Sequence, residues 1–204
     1  MVEKINGFDQ FEIDQLKEIT NIGAGNAATA LSHMLGKKVN MSVPELYMGG
    51  VDSVQREIGQ SEDQAAATFF KFYGDIDGAL VMIFPPQSAV DFVNLLTKKE
   101  YNEVKEISED DLSALKEMGN ILLGSSITAL NKFLNLNIMH TIPDLAVDML
   151  GAIMDSVLVE VTEGAEALVF KVKLNLIDED VEGDMFYFLD PKASKKLIKR
   201  MKGK

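Results

Sequence analysis

The chain contains an internal duplication, which limits its fold more than any other feature of the sequence. With a shift of 99 residues, Leu16-Lys17-Glu18 aligns with Leu115-Lys116-Glu117. Further identities follow in the same order: Asn21-Ile22, Gly25, Thr29-Ala30-Leu31 and Pro44 align with Asn120-Ile121, Gly124, Thr128-Ala129-Leu130 and Pro143. Near the end the shift becomes 105, where Asp75-Ile76-Asp77-Gly78 aligns with Asp180-Val181-Glu182-Gly183. Two copies of one unit predict a pseudo-twofold arrangement.

Each copy shows the same order of predicted elements. Each long helix is predicted to begin at a capping residue, Asp9 in the first copy and Ser108 in the second. An acidic residue follows at the N3 position, Glu12 or Asp111. The first copy predicts helix Phe11–Leu35, strand Lys38–Met48, a short helix near Val51–Ile58, strands Ala65–Gly74 and Ile76–Phe84, and helix Pro86–Thr97. The second predicts helix Asp110–Leu134, strand Asn137–Val147, a short helix Asp148–Val159, strands Ala165–Ile177 and Gly183–Leu189, and helix Pro191–Met201.

These elements predict an α+β fold in which two long helices lie on the surface of a mixed or antiparallel sheet. We expect the sheet on one side and the helices on the other. The only visible seam is the charged segment Lys98–Glu106. We therefore expect residues 1–204 to form one compact domain of two fused repeats, about 9–98 and 108–203.

Composition excludes several classes of function. The net charge of -12 argues against binding to nucleic acid or to anionic membranes, which need clustered Lys and Arg. Cysteine is absent, which excludes a thiolate metal site. Only two histidines are present, which makes a histidine-based catalytic triad or zinc site improbable. With no signal peptide and no long apolar run, we expect a cytoplasmic protein.

A narrow polar stripe follows each long helix. At 100° per residue, Glu18, Asn21 and Gly25 fall within about 40° of Asp14. We call these four residues ridge 1, and the matching Ser113, Glu117, Asn120 and Gly124 ridge 2. The apolar residues lie on the opposite side of each helix: Leu16, Ile19, Gly23, Ala27, Ala30 and Met34 in the first, and Leu115, Met118, Leu122, Ala129 and Phe133 in the second.

Both ridges should therefore face solvent. A merely solvated face accounts for their polarity but not for glycine, which costs about 1 kcal/mol relative to alanine in an exposed helix. Glycine at Gly25 and Gly124 is useful if the backbone of a partner comes close. Gly23 points to the other side, where it permits close packing of helices. The Gly23-Ala24-Gly25 sequence is a poor nucleotide-binding motif, because no strand precedes it and the third glycine is missing.

The chemistry of an exposed Glu–Asn pair is restricted. A side-chain amide is neither a strong base nor a nucleophile, but it can hold and orient a water molecule. Such a residue suits an activated substrate, such as an acyl phosphate on a protein, because catalysis then depends mainly on positioning. The glutamate can pair with a cation of the partner and set the docking register.

The two motifs resemble those of the CheC family of CheY-phosphate phosphatases, which is related to CheX and FliY. The family pattern appears as Asp14, Glu18, Asn21 and Pro44, and again as Ser113, Glu117, Asn120 and Pro143. The resemblance implies that Asn21 and Asn120 orient the attacking water, and that Glu18 and Glu117 pair with a lysine of CheY. It also implies that CheY holds the Mg²⁺, so that this chain binds no cofactor.

The resemblance implies a second partner, the receptor deamidase CheD, which raises phosphatase activity. The matching contact residue is Asp148, which a helix N-cap would explain nearly as well. Two alternatives remain open. The chain could be a non-catalytic adaptor that binds CheD or CheY and acts by sequestration, or a small-molecule binder that uses a cleft between the halves.

Overall fold

The computed structural model describes residues 7–49, 62, 64–162, 167–177, 179, 181–189 and 191–202. These residues form, in chain order, α1 (Gln10–Leu35), β1 (Val39–Gly49), β2 (Gln64–Gly74), β3 (Gly78–Phe84), α2 (Pro86–Thr97), a 3-10 turn (Val104–Glu106), α3 (Glu109–Leu134), β4 (Ile138–His140), β5 (Asp144–Met149), α4 (Leu150–Thr162), β6 (Ala167–Leu176), β7 (Glu182–Leu189) and α5 (Pro191–Lys202). The short helix predicted near Val51–Ile58 lies outside the described residues.

The two long helices, α1 and α3, begin at the predicted capping residues. In α1, Asp9 Oδ1 accepts a hydrogen bond from the Glu12 N–H at 2.8 Å, and Glu12 Oε2 accepts one from the Asp9 N–H at 3.2 Å. In α3, Ser108 Oγ accepts from the Asp111 N–H at 3.2 Å. These bonds satisfy N–H groups that the first turn leaves without helical partners. Both predicted caps are confirmed.

The cap of α3 carries an additional polar cluster. The Lys99 ammonium lies 2.6 Å from Asp111 Oδ2, and the hydroxyls of Tyr101 and Ser108 donate to the same carboxylate. These contacts, the Lys99 hydrogen bond first among them, lower the pKa of Asp111 to about 2. The start of ridge 2 is thereby tied to the segment that joins the two halves.

The strand order of the sheet reflects the duplication. The order is β1-β6-β7-β3-β2-β4, and β5 also pairs with β2. Exchanging each strand for its counterpart (β1 for β4 and β5, β2 for β6, β3 for β7) returns the same order reversed. A pseudo-twofold axis therefore passes between β3 and β7, whose pairing is antiparallel. The predicted fold class is confirmed, and each half supplies the outer strand of the other.

The helices do not all lie on one side of the sheet. The larger core packs α1, α2, α3 and α5 against one face. On the other face, Ile153, Met154 and Val157 of α4 pack against residues such as Val81 and Phe186. The expectation of a one-sided sheet was therefore wrong. The nearly continuous apolar strand β3 has both of its faces covered, as such runs typically do.

Proline interrupts the strand predicted over Asn137–Val147. The structure has two short strands there, β4 and β5, because residues 141–143 leave the ladder. Thr141 replaces the lost pairing by donating its N–H to the Lys71 carbonyl at 2.8 Å and by accepting the Lys71 N–H on Oγ1 at 3.0 Å. Pro143 has no N–H to donate. In the first half, the register of β1 shifts between Ser42 and Glu45, on either side of Pro44.

The long helices meet at the pseudo-twofold axis through small residues. A Cβ atom on Gly23 would lie 3.5 Å from Ser126 Cβ, and Ser126 Oγ donates to the Gly23 carbonyl at 3.1 Å. Ser126 Oγ also lies 3.3 Å from the hydroxyl of Tyr187, and burial raises the pKa of that hydroxyl to about 12. Gly23 lies at the contact between the two helices, as predicted, although a Cβ atom there would make only an ordinary van der Waals contact. Within the described residues, none of the helices has both the length and the apolar character needed to cross a bilayer.

Candidate functional site

Ridge 1 faces solvent along its whole length. All four of its residues are exposed, whereas Leu16, Ile19 and Ala27 on the opposite side of α1 are at most 3% exposed. Ridge 2 follows the same pattern, with exposed Ser113 and Glu117. The predicted opposition of polar ridge and apolar core is confirmed, although Phe133, placed in the core stripe, is 38% exposed.

The side chains of the Glu–Asn pairs are not used for polar contacts within the described part of the chain. Among the described residues, Glu18, Asn21, Glu117 and Asn120 have no hydrogen-bond or ion-pair partner. The opening residues of the ridges are engaged locally instead. Asp14 Oδ1 accepts a hydrogen bond from Gln10 Nε2 at 2.9 Å, and the hydroxyl of Ser113 donates to the Asp110 carbonyl. Two carboxylates and two amides thus stand free for an external partner.

The ridge glycines are not required by the fold of the chain. A Cβ atom on Gly25 would meet nothing within 4 Å, and one on Gly124 would meet only His140 Nε2, at 3.9 Å. Gly119, also in α3, is different, because its Cβ would lie 2.8 Å from Phe70 Cζ. Internal packing therefore explains Gly119 but neither ridge glycine.

Ridge 2 is less open than ridge 1. Asn120 and Gly124 are half-buried, whereas Asn21 and Gly25 are exposed. A wide groove of about 620 Å³ runs beside ridge 2; Asn120 and Gly124 line it together with Thr29, Ala30 and His33 of α1. Helix α1 of the first half thus contributes to the surroundings of ridge 2.

Two residues near the ridges were missed by the sequence reasoning. Phe11 is 59% exposed and lies two helical turns before Glu18, on the same side of α1. His140 lies in β4, with Nε2 3.9 Å from the Cβ position of Gly124. A signal for both was present in the duplication, because the residues at the matching positions differ in chemistry: Asp110 for Phe11, and Met41 for His140.

Asp148 was predicted to begin a short helix, but the structure places it in a strand. It lies in β5 opposite Ala65, and α4 begins two residues later at Leu150. Its Oδ1 accepts a hydrogen bond from the N–H of Met149 at 2.7 Å. Asp148 also lines a cavity of about 230 Å³ between β5 and α4. The side chain is exposed and far in sequence from both ridges.

The side chains of the two ridges offer hydrogen-bonding groups and carboxylates. Among the described residues, no group of three or more His, Asp or Glu side chains is placed to hold a metal ion. The amides can orient water, and the carboxylates can pair with a cation. Both actions need a reacting group that a second molecule presents to the ridge.

Sequence comparisons identify the family. The family described as "CheC-like family" matches residues 11–48, and that described as "Chemotaxis phosphatase CheX" matches residues 66–170. A protein of Bacillus subtilis (strain 168), "CheY-P phosphatase CheC", is 31% identical over 200 residues, which cover 95% of this chain and 95% of the relative. The chain belongs to the CheC/CheX/FliY family. The resemblance seen in the two motifs is confirmed.

Solved structures show that the fold is shared more widely. Thermotoga maritima FliY superposes with a TM-score of 0.78 at 20% identity, covering 97% of this chain and 98% of that one. The FliM middle domain from H. pylori superposes with a TM-score of 0.66 at 12% identity, covering 95% of this chain and 100% of that one. At these identities the similarity concerns the fold, so function must be argued from the ridges.

Proposed function

We propose that this chain hydrolyses the aspartyl phosphate of the chemotaxis response regulator CheY. The observation that carries the proposal is that each ridge presents a Glu–Asn pair, Glu18 with Asn21 and Glu117 with Asn120, whose side chains have no hydrogen-bond or ion-pair partner among the described residues. The Bacillus subtilis relative named "CheY-P phosphatase CheC" supports the choice of substrate. In this proposal each ridge docks one regulator molecule over its phosphorylated aspartate.

The amides of Asn21 and Asn120 are the water-orienting groups of this mechanism. The water oxygen attacks phosphorus, the bond from phosphorus to the aspartyl oxygen breaks, and the regulator's carboxylate leaves with the electron pair of that bond. One proton of the water stays on the attacking oxygen and the other passes to a phosphoryl oxygen, which gives dihydrogen phosphate. The products are inorganic phosphate and free aspartate carboxylate. An acyl phosphate is already activated, so holding the water in line is the main contribution required of the enzyme.

The carboxylates of Glu18 and Glu117 dock the partner in this mechanism. Each lies three residues before its asparagine, so both side chains reach the same docked surface. Pairing with the regulator's lysine near the phosphorylated aspartate sets the register of the amide. The Mg²⁺ that neutralises the phosphate belongs to the regulator, and no cofactor is assigned to this chain.

CheD is the second partner in the proposal, with Asp148 as its contact residue. Asp148 is exposed at the end of β5, beside the cavity under α4. It lies on an outer strand rather than on a ridge, so a partner there could bind without covering Asn21 or Asn120. Binding of CheD is expected to raise the hydrolysis rate.

The adaptor alternative uses the same surface without chemistry. The FliM middle domain shares the fold at 12% identity, so the fold alone does not separate an enzyme from an adaptor. Sequestration would need the docking carboxylates but not the amides. A small-molecule site between the halves has less support. The enclosed cavity there measures about 50 Å³ and is lined mainly by apolar side chains, and the larger groove beside ridge 2 is wide and open to solvent.

The test is the rate at which phosphorylated CheY loses phosphate, with and without CheD. Wild type should accelerate the loss, and Asn21→Ala/Asn120→Ala should return it to the regulator's own rate. Glu18→Gln/Glu117→Gln should mainly raise KM, because it weakens docking. Asn40→Ala removes an exposed amide from β1 and serves as the matched control. Acceleration that survives in the double asparagine variant would reject the water-orienting role, and no acceleration by wild type would favour the adaptor.

A further inference from the structure

The imidazole of His140 has a fixed orientation beside ridge 2. Its ring stands edge-on to that of Phe70, with 6.4 Å between the centroids and 77° between the planes. Its Nδ1 lies 2.9 Å from the Thr141 carbonyl oxygen. Because a carbonyl oxygen can only accept, Nδ1 carries the hydrogen. Nε2 of the neutral ring is therefore a bare acceptor.

This acceptor lies close to ridge 2. A Cβ atom on Gly124 would lie 3.9 Å from Nε2, and Gly124 follows Asn120 by one helical turn. Nε2 makes no hydrogen bond to any residue in the described part of the chain. A half-buried ring with one nitrogen fixed and the other unpaired is already oriented to meet an incoming donor.

In the part of the chain that the structure describes, ridge 1 has no nitrogen equivalent to His140 Nε2 at the matching position. Met41 stands at the position matching His140, and a thioether is only a weak acceptor. The surroundings of Gly25 also differ, because nothing lies within 4 Å of the Cβ position there. The two ridges carry the same Glu–Asn pair, but of the two matching positions, 41 and 140, the one beside ridge 2 holds the imidazole.

We propose that His140 is a positioning residue of ridge 2. Its Nε2 accepts a hydrogen bond from a donor on the docked response regulator, either a backbone N–H or a polar side chain. This contact helps to hold the regulator over Asn120, so the two ridges bind the same partner with different affinities. The inference rests on the proposed function, because it assumes that the regulator docks on ridge 2.

The experiment uses the full chain with Asn21→Ala, which leaves ridge 2 as the only active ridge. His140→Phe in that background keeps the aromatic contact with Phe70 and removes the acceptor. It should raise KM for phosphorylated CheY about threefold to tenfold, the effect of one hydrogen bond, with kcat unchanged. His140→Gln restores an acceptor and should recover most of the affinity. Met139→Ala, at an exposed neighbour in β4, is the control.

Two further measurements separate this inference from the proposed function. Binding of CheY activated with beryllofluoride, which mimics the phosphoryl group, reports docking without hydrolysis. Weaker binding by His140→Phe, recovered by His140→Gln, supports the contact even if wild type proves to have no phosphatase activity. Equal KM and equal binding for His140→Phe and its parent, with equal melting temperatures, would overturn the inference. A fall in kcat alone would also overturn it.

Discussion

Ridge 1 and ridge 2 carry the same Glu–Asn spacing on helices of equal length, but their surroundings differ. Asn21 is exposed with open space around Gly25, whereas Asn120 is half-buried beside a groove, and His140 Nε2 lies 3.9 Å from the Cβ position of Gly124. An exposed Phe11 extends ridge 1, and the acidic Asp110 takes its place before ridge 2. The comparison shows that the groups proposed for chemistry are repeated while the contacts around them have diverged. The two ridges should therefore differ more in binding than in chemistry.

The anchoring of the two helices differs in the same way. Glu12 completes a capping box with Asp9 and lies 3.2 Å from the Lys202 ammonium. Asp111, its counterpart, is held by Lys99 and by two hydroxyls, at 12% side-chain exposure. Ridge 1 is thus fixed by the closing helix α5, and ridge 2 by the segment that links the halves.

The largest effect is expected from alanine substitutions that test whether both ridges need glycine for a partner to come close. Gly25→Ala/Gly124→Ala should stabilise the helices by about 1 kcal/mol per site, because neither Cβ meets a close neighbour. The same change should lower the rate of CheY dephosphorylation by about tenfold or more, because it separates the docked surfaces. Thermal unfolding and the dephosphorylation assay measure the two effects.

Gly119→Ala is the matched control, since its Cβ would lie 2.8 Å from Phe70 Cζ. It should lower the free energy of unfolding by about 1–3 kcal/mol. Full activity in the Gly25→Ala/Gly124→Ala variant would show that no partner backbone approaches the ridges.

A smaller effect is expected from the aromatic residue that only ridge 1 carries. With Asn120→Ala leaving ridge 1 as the active ridge, Phe11→Asp introduces the residue found before ridge 2. Loss of an exposed apolar anchor should raise KM about fivefold, with kcat little changed. Steady-state kinetics and the melting temperature measure this change. An unaltered KM would mean that docking ends short of Phe11 and that the ridges differ only around their asparagines.

The smallest expected effect concerns the anchoring of α3. The lowered pKa of Asp111, about 2, means that its carboxylate stabilises the fold above the ordinary value of 3.8, and that this contribution is lost as the pH falls through about 2. Asp111→Asn should lower the melting temperature by about 1–3 °C at pH 7, and the difference from wild type should shrink towards pH 2.

Glu12→Gln, the corresponding change in α1, should cost less, because glutamine can still accept the Asp9 N–H. An equal cost at both helices would show that the Lys99 and Tyr101 contacts add nothing to the simple cap. A difference that persists undiminished at pH 2 would show that the charge of Asp111 is not its cause.

Much of this architecture follows from patterns that are local in the sequence. Capping residues predict where α1 and α3 begin, and the 3.6-residue period predicts their polar and apolar sides. The 2-residue period predicts the approximate strands. The Glu18–Asn21 and Glu117–Asn120 pairs were recognisable because a fixed helical spacing places them side by side. The duplication gave the pseudo-twofold relation, because equal sequences form equal elements.

The tertiary structure decided which elements meet. Periodicity does not specify which strands pair. Only the tertiary structure showed that β1 lies outermost beside β6, that α4 covers the second face of the sheet, and that the strand is interrupted at Pro143. The same holds for His140, which is 16 residues from Gly124 in sequence and reaches it because β4 pairs with β2 under α3. Local sequence fixes what a helix presents on each side, whereas long-range packing fixes what stands beside it, and here that packing makes the two ridges unequal.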